Sequence, residues 1–164
     1  LTNPVGPERQ IVGVPRPEFT ALLARALALL GSERAWVVHG ADGIDEISTT
    51  GYTKISECHA GKVNTFYVHP SEFGVQKASS SDLLGGDAAS NAAIAREVLG
   101  GTRGPRRDVV LLNAGAALFV AGRTPDVRAG IALGEQGIDS GRATQVLARL
   151  ASVSHEPEGC DAVV

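Results

Sequence analysis

Methionine is absent from the 164 residues, and aromatic side chains make up only 4% of them. A core with so few rings must rest on alanine, valine, leucine and isoleucine, and the 43% hydrophobic content is enough to build one in a chain of this length. Cysteine occurs twice, at Cys58 and Cys160. That gives neither a disulfide framework nor the ligand spacing of a metal site. No apolar run reaches the roughly 20 residues that a membrane-spanning helix needs, so no membrane partner is expected and a cytoplasmic setting is the default. Positive charge is also scarce. The net charge is −3, and no basic cluster is stronger than Arg103–Arg107. This is a poor footprint for nucleic acid, which calls for a basic stripe.

What is present centres on residues 37–52, VVHGADGIDEISTTGY. The apolar run Ala35–Val38 is valine-rich enough for a buried strand. It empties into a polar loop rich in glycine, and open α/β sheets place their ligands at such strand ends. Asp45 and Glu46 are the sharpest chemical feature of that loop. Paired carboxylates suit a hard cation such as Mg²⁺, which keeps several waters and binds through one or two carboxylates plus substrate phosphates. A solvated surface pair would read the same way, as would two acids near a helix N-terminus. Asp42-Gly43 is by default a turn. His39 suits a hydrogen-bonded structural role as well as proton transfer.

Along the chain, residues 1–7 are proline-rich and irregular, and Gln10–Val14 is a short strand. Pro15 and Pro17 end it, and Pro17 suits a helix start. The helix runs to Leu30, with Phe19, Leu22, Leu23, Ala26, Leu29 and Leu30 at helical spacing and Gly31 as its C-terminal cap. Strand Ala35–Val38 then pairs in parallel with the first strand. Thr53–Cys58 and Lys62–Val68 read as an antiparallel hairpin across His59-Ala60-Gly61, so the sheet is mixed. Lys54 reads as a solvated strand residue. His69–Ser81 reads as a loop. Asp87 caps a helix from Ala88 to Leu99, with Gly100 closing it. Gly85-Gly86-Asp87 is a helix start rather than a phosphate loop.

Asp108–Ala121 is apolar almost all round and reads as the buried central helix. Asn113 inside it needs a hydrogen-bond partner. Thr124-Pro125-Asp126 starts the next helix, which runs to Asp139. Ser140-Gly141 interrupts it before a helix over Arg142–Val153, with Val146, Leu147 and Leu150 facing the core. The fold class is therefore α/β: a small mixed β-sheet flanked by helices, in one domain over residues 1–153. Residues 154–164 form a polar tail.

The run HGADGIDEISTTGYTKISE, with LTNPVGPERQIVGV before it and SSSDLLGGDAASNAAIAREVLGG and LLNAGAALFVAG after it, closely resembles the anthranilate phosphoribosyltransferase family of tryptophan biosynthesis. The resemblance runs from Leu1 to Val153. It implies the C-terminal lobe of the nucleoside phosphorylase and phosphoribosyltransferase-like fold. It implies that Asp45 and Glu46 bind Mg²⁺ attached to phosphoribosyl pyrophosphate (PRPP). The implied reaction moves the phosphoribosyl group to the amino group of anthranilate.

The family's helical lobe, which holds its homodimer contact, precedes a stretch matching Leu1-Thr2-Asn3-Pro4. So do its Gly-Thr-Gly-Gly-Asp pyrophosphate loop, its Lys-His-Gly-Asn-type phosphate segment and a basic residue for the anthranilate carboxylate. The expectation is a C-terminal part of the enzyme, inactive alone, with most PRPP and anthranilate contacts elsewhere. The absence of an initiator methionine agrees with that expectation. Two rival readings are a pyrimidine nucleoside phosphorylase, whose substrate signatures are absent, and a non-catalytic paralogue that binds nucleic acid, which the acidic balance disfavours.

Overall fold

A computed structural model describes residues 5–155. Strand β1 (Arg9–Gly13) leads through helix α1 (Glu18–Leu29) to strand β2 (Arg34–Gly40). Strands β3 (Thr53–His59) and β4 (Lys62–Val68) follow, then two 3-10 turns at Pro70–Phe73 and Ser80–Leu83. Four helices complete the described residues: α2 (Ala88–Leu99), α3 (Pro105–Val120), α4 (Val127–Asp139) and α5 (Arg142–Ser154). The sheet order is β1-β2-β3-β4. β1 and β2 are parallel, and the other two pairings are antiparallel. The mixed sheet and the helix order match the expectation from sequence.

β2 shows why the molecule has three layers. Successive strand side chains point to opposite faces, and both faces of β2 are buried. Ala35 and Val37 pack with Val14, Ala24 and Leu27 on the α1 side. Trp36 and Val38 pack with Ile55, Leu112, Ala116 and Val120 on the α3 side. Trp36 meets Phe66 and Phe119 edge-on, at centroid distances of 5.9 and 5.4 Å. Its indole N–H donates to the Glu57 carboxylate at 3.0 Å.

Several expectations need correction. The buried face of α1 is Thr20, Ala24 and Leu27, whereas Leu22, Leu29 and Leu30 are exposed. Phe19 and Leu23 do pack against that core, so the spacing found the right side in part and erred at Leu22, Leu29 and Leu30. α3 begins at Pro105, ahead of Asp108, and is buried on one face rather than all round: Leu111, Leu112, Gly115 and Ala116 are enclosed while Val110 is exposed. α5 has no buried residue, and Val146 and Leu150 face outward. It lies against α2 and α4 at the rim, where the Thr144 hydroxyl donates to the Leu99 carbonyl at 2.9 Å.

His69–Ser81 is not simply loop, because both 3-10 turns carry capping boxes. At the end of α2 the left-handed glycine is Gly101, φ +96°, and Gly100 stays in the right-handed region. Ser154 belongs to α5. The rest of the expected tail from residue 156, residues 1–4 and Cys160 lie outside the described residues.

Candidate metal-binding loop

The chain leaves β2 at Gly40 and returns at Thr53, and its own polar groups make the loop between them rigid. The Gly40 N–H donates to the Ile44 carbonyl at 2.9 Å, and the Ala41 N–H to the Tyr52 carbonyl at 2.8 Å. Gly43, at φ +92°, makes the turn that brings its N–H onto the Gly40 carbonyl.

Asp42 is the hub. Its carboxylate accepts from the Ser48 hydroxyl at 2.8 Å and the Thr50 hydroxyl at 2.6 Å. The Ser48 N–H donates to Thr53 Oγ1, and the Thr50 N–H to Ser48 Oγ. Partial burial of the Asp42 carboxylate works against its charge. Hydrogen bonds from the Thr50 and Ser48 hydroxyls and from loop amides outweigh that, and its pKa lies below the usual aspartate value. The sequence offered Asp42 only as a turn residue. The hydroxyls that follow it at Ser48 and Thr50 were the overlooked signal.

Two contacts from outside fix the segment that carries the acids. Ile47 is buried in the α3-side core. Its N–H donates to Asn113 Oδ1 at 3.0 Å, and Asn113 Nδ2 donates to the Ile47 carbonyl at 2.9 Å. The expected partner of Asn113 is thus the loop itself. From the opposite side, β1 comes so close at Gly13 that a Cβ there would overlap the Asp45 backbone carbonyl. Nothing in the local sequence around Gly13 announces this.

With the backbone held, the Asp45 and Glu46 side chains are exposed and make no hydrogen bond or ion pair among the described residues. Two adjacent, solvent-facing carboxylates fit a hard cation whose other ligands are water and substrate oxygens. They do not form a closed protein cage, and no group of three or more His, Cys, Asp or Glu residues able to hold a metal exists among the described residues. The Asp42 carboxylate, by contrast, takes both hydroxyl hydrogen bonds on Oδ2 and serves the loop's internal bracing.

The remaining residues singled out from sequence take structural roles. His39 Nδ1 donates to the Val14 carbonyl at 2.9 Å, tying β2 to the end of β1. The Lys54 ammonium is not simply solvated, since it donates to the Pro17 carbonyl at 3.1 Å. Asp87 caps α2 by accepting from the Ser90 N–H at 2.8 Å. Asn91 bonds both the N–H and the carbonyl of Gly86, so the Gly85-Gly86-Asp87 turn is closed by the chain's own groups.

The family model described as Glycosyl transferase family, a/b domain, matches residues 1–144. The chain belongs to that family. Among curated proteins it is similar to anthranilate phosphoribosyltransferases. It is 50% identical to that of Mesorhizobium japonicum over 155 residues, covering 94% of this chain and 46% of the relative. It is also 50% identical to that of Trichlorobacter lovleyi, covering 94% of this chain and 44% of the relative. The chain therefore spans less than half the length of these relatives.

Solved structures agree. The anthranilate phosphoribosyltransferase of Thermus thermophilus superposes with a TM-score of 0.82 at 39% identity, over 90% of this chain and 44% of that one. The Saccharomyces cerevisiae enzyme in complex with PRPP and Mg superposes at 0.76 and 30% identity, over 85% and 41%. No helix among the described residues is long and apolar enough to cross a membrane.

Proposed function

We propose that this chain is the α/β part of an anthranilate phosphoribosyltransferase, and that Asp45 and Glu46 hold the Mg²⁺ that accompanies PRPP. The observation that carries the reading is the loop of residues 40–53, rigid in its backbone yet presenting two unengaged carboxylates. The Saccharomyces cerevisiae enzyme solved with PRPP and Mg supports it. The described residues would act as one domain. The whole enzyme would be a cytoplasmic homodimer joined through its helical lobe.

In the proposed reaction the anthranilate amino nitrogen bonds to ribose C1, the C1–O bond to pyrophosphate breaks, and the amino group loses a proton. Bound Mg²⁺ supplies electrostatic stabilisation of the negative charge that grows on the departing pyrophosphate. Asp45 and Glu46 anchor the metal and exchange no proton. Asp42, Ser48 and Thr50 keep the loop in one conformation, so the carboxylates need little reorganisation when substrate arrives.

The test is the decay of anthranilate fluorescence with PRPP and Mg²⁺, run with the chain alone and with a separately expressed upstream half of a full-length relative. Turnover in the mixture and none from the chain alone is the expected result. Turnover by the chain alone would overturn the assignment of the other substrate contacts to the upstream half of the relatives. Silence from two folded halves whose association has been demonstrated would overturn the reading itself.

A further inference from the structure

Asn113 lies on α3, and the two carboxylates lie on a loop distant in sequence, yet one amide group joins them. Oδ1 accepts from the Ile47 N–H, while Nδ2 donates to the carbonyls of Ile47 and of Val109, one turn earlier on its own helix. This network settles the orientation of the amide. Turned over, it would set its NH₂ against the Ile47 N–H and its oxygen against two carbonyls. The Val109 carbonyl therefore orients Asn113, and Asn113 in turn fixes both polar groups of the peptide units around Ile47. Glu46 is joined directly to that N–H. On the other flank, Gly13 leaves just enough room for the Asp45 carbonyl. The two acids are thus gripped from both sides through the backbone, while their side chains stay free for a ligand.

We infer that Asn113 is the positioning residue of the metal site: its amide sets the direction in which Asp45 and Glu46 present their carboxylates to a divalent cation. This rests on the Asp45–Glu46 reading above. Partners that orient metal ligands are typically worth about 10–100-fold in metal affinity, and Asn113 performs that task through the main chain rather than by touching the carboxylates.

The experiment is a titration of a ¹⁵N-labelled full-length enzyme carrying this domain, with PRPP present, with Mn²⁺, a paramagnetic stand-in for Mg²⁺, following the broadening of the Asp45 and Glu46 amide signals. Asn113→Leu keeps the bulk and removes all three hydrogen bonds. Its half-broadening concentration should rise at least about tenfold. Asp139→Ala, remote from the loop, controls for general destabilisation and should leave the curve unmoved. Coincident curves for Asn113→Leu and the unsubstituted enzyme would overturn the positioning role and leave the metal reading standing. No broadening at Asp45 and Glu46 in the unsubstituted enzyme would overturn the metal reading and this inference together. If Asn113→Leu does not fold, amide hydrogen exchange of the unsubstituted chain decides: an Ile47 N–H protected like the core supports the clamp, and one that exchanges like an exposed loop amide overturns it.

Discussion

Arg107 and Asp139 meet at 2.8 Å across the base of α3 and the end of α4, with the guanidinium enclosed and the carboxylate half in water. The same guanidinium donates to the Gly101 carbonyl at 2.9 Å. One buried cation thus joins the α2–α3 turn to the last residue of α4. Removing the cation and removing the anion should differ in cost. Arg107→Ala loses packing and both bonds and should destabilise by about 2–4 kcal/mol. Asp139→Ala removes a partner that solvent already screens, so about 1 kcal/mol is expected. Urea midpoints of the two variants measure the difference, and equal losses would contradict the asymmetry of burial.

Asp45→Asn with Glu46→Gln keeps the shape of the loop and removes its charge. In a full-length enzyme carrying this domain, the double variant should lose at least about tenfold in kcat/KM and need much more Mg²⁺ for half-maximal rate. The Mg²⁺ dependence of initial rates measures both. An unshifted dependence would remove these residues from the metal site.

Asp42 gives the fold an acid-sensitive element. Its folded pKa lies below its unfolded value, because hydrogen bonds to the carboxylate outweigh the cost of burying it. The stability it contributes is therefore present above the unfolded value, about 3.9, and is lost as the pH falls through the folded one. Asp42→Asn should lower stability at neutral pH and flatten the decline on acidification below about pH 4. Urea unfolding at a series of pH values gives the two slopes, and parallel curves would rule the linkage out.

The β3–β4 hairpin turns on Ala60 and Gly61, at φ +49° and +75°, between the paired residues His59 and Lys62. Both central residues of such a turn need positive φ, and asparagine before glycine is the favoured pair. Alanine there is strained. Ala60→Asn should stabilise the chain by about 1 kcal/mol, read as a rise in melting temperature. A fall would mean that the turn relaxes in solution.

The hairpin, the cap at Asp87 and the helix start at Thr124-Pro125-Asp126 were legible because each is local, and the parallel β1–β2 pair followed from the strand-helix-strand order. The need of Asn113 for a partner was legible too, since an amide inside an apolar helix cannot go unpaired cheaply. Its partner was not, because Ile47 reaches it only through the packing of sheet against helix. The α1 and α5 faces failed for a related reason. Periodicity finds a stripe, but which stripe is covered depends on the layer beneath. On α1 the sheet covers the stripe of Thr20, Ala24 and Leu27, with Phe19 and Leu23 at its edge, and leaves Leu22 and Leu29 in solvent. Gly13 is the extreme case, a residue whose importance lies wholly in the atom of Asp45 that occupies its missing side chain.

The crossing of α3 and α4 has a reach beyond the helices. At Gly115 and Gly130 the two backbones touch so closely that a methyl on either would overlap the other chain. Gly115 and Asn113 lie on opposite sides of α3, one toward α4 and the other toward the loop. The helix therefore acts as a spacer of set thickness between α4 and the Asp45–Glu46 segment. A side chain grown at that crossing would be transmitted through the rod and read out at the far wall as a displaced pair of acids. Neither glycine touches a ligand, yet neither can accept a side chain without moving the wall that holds the two acids.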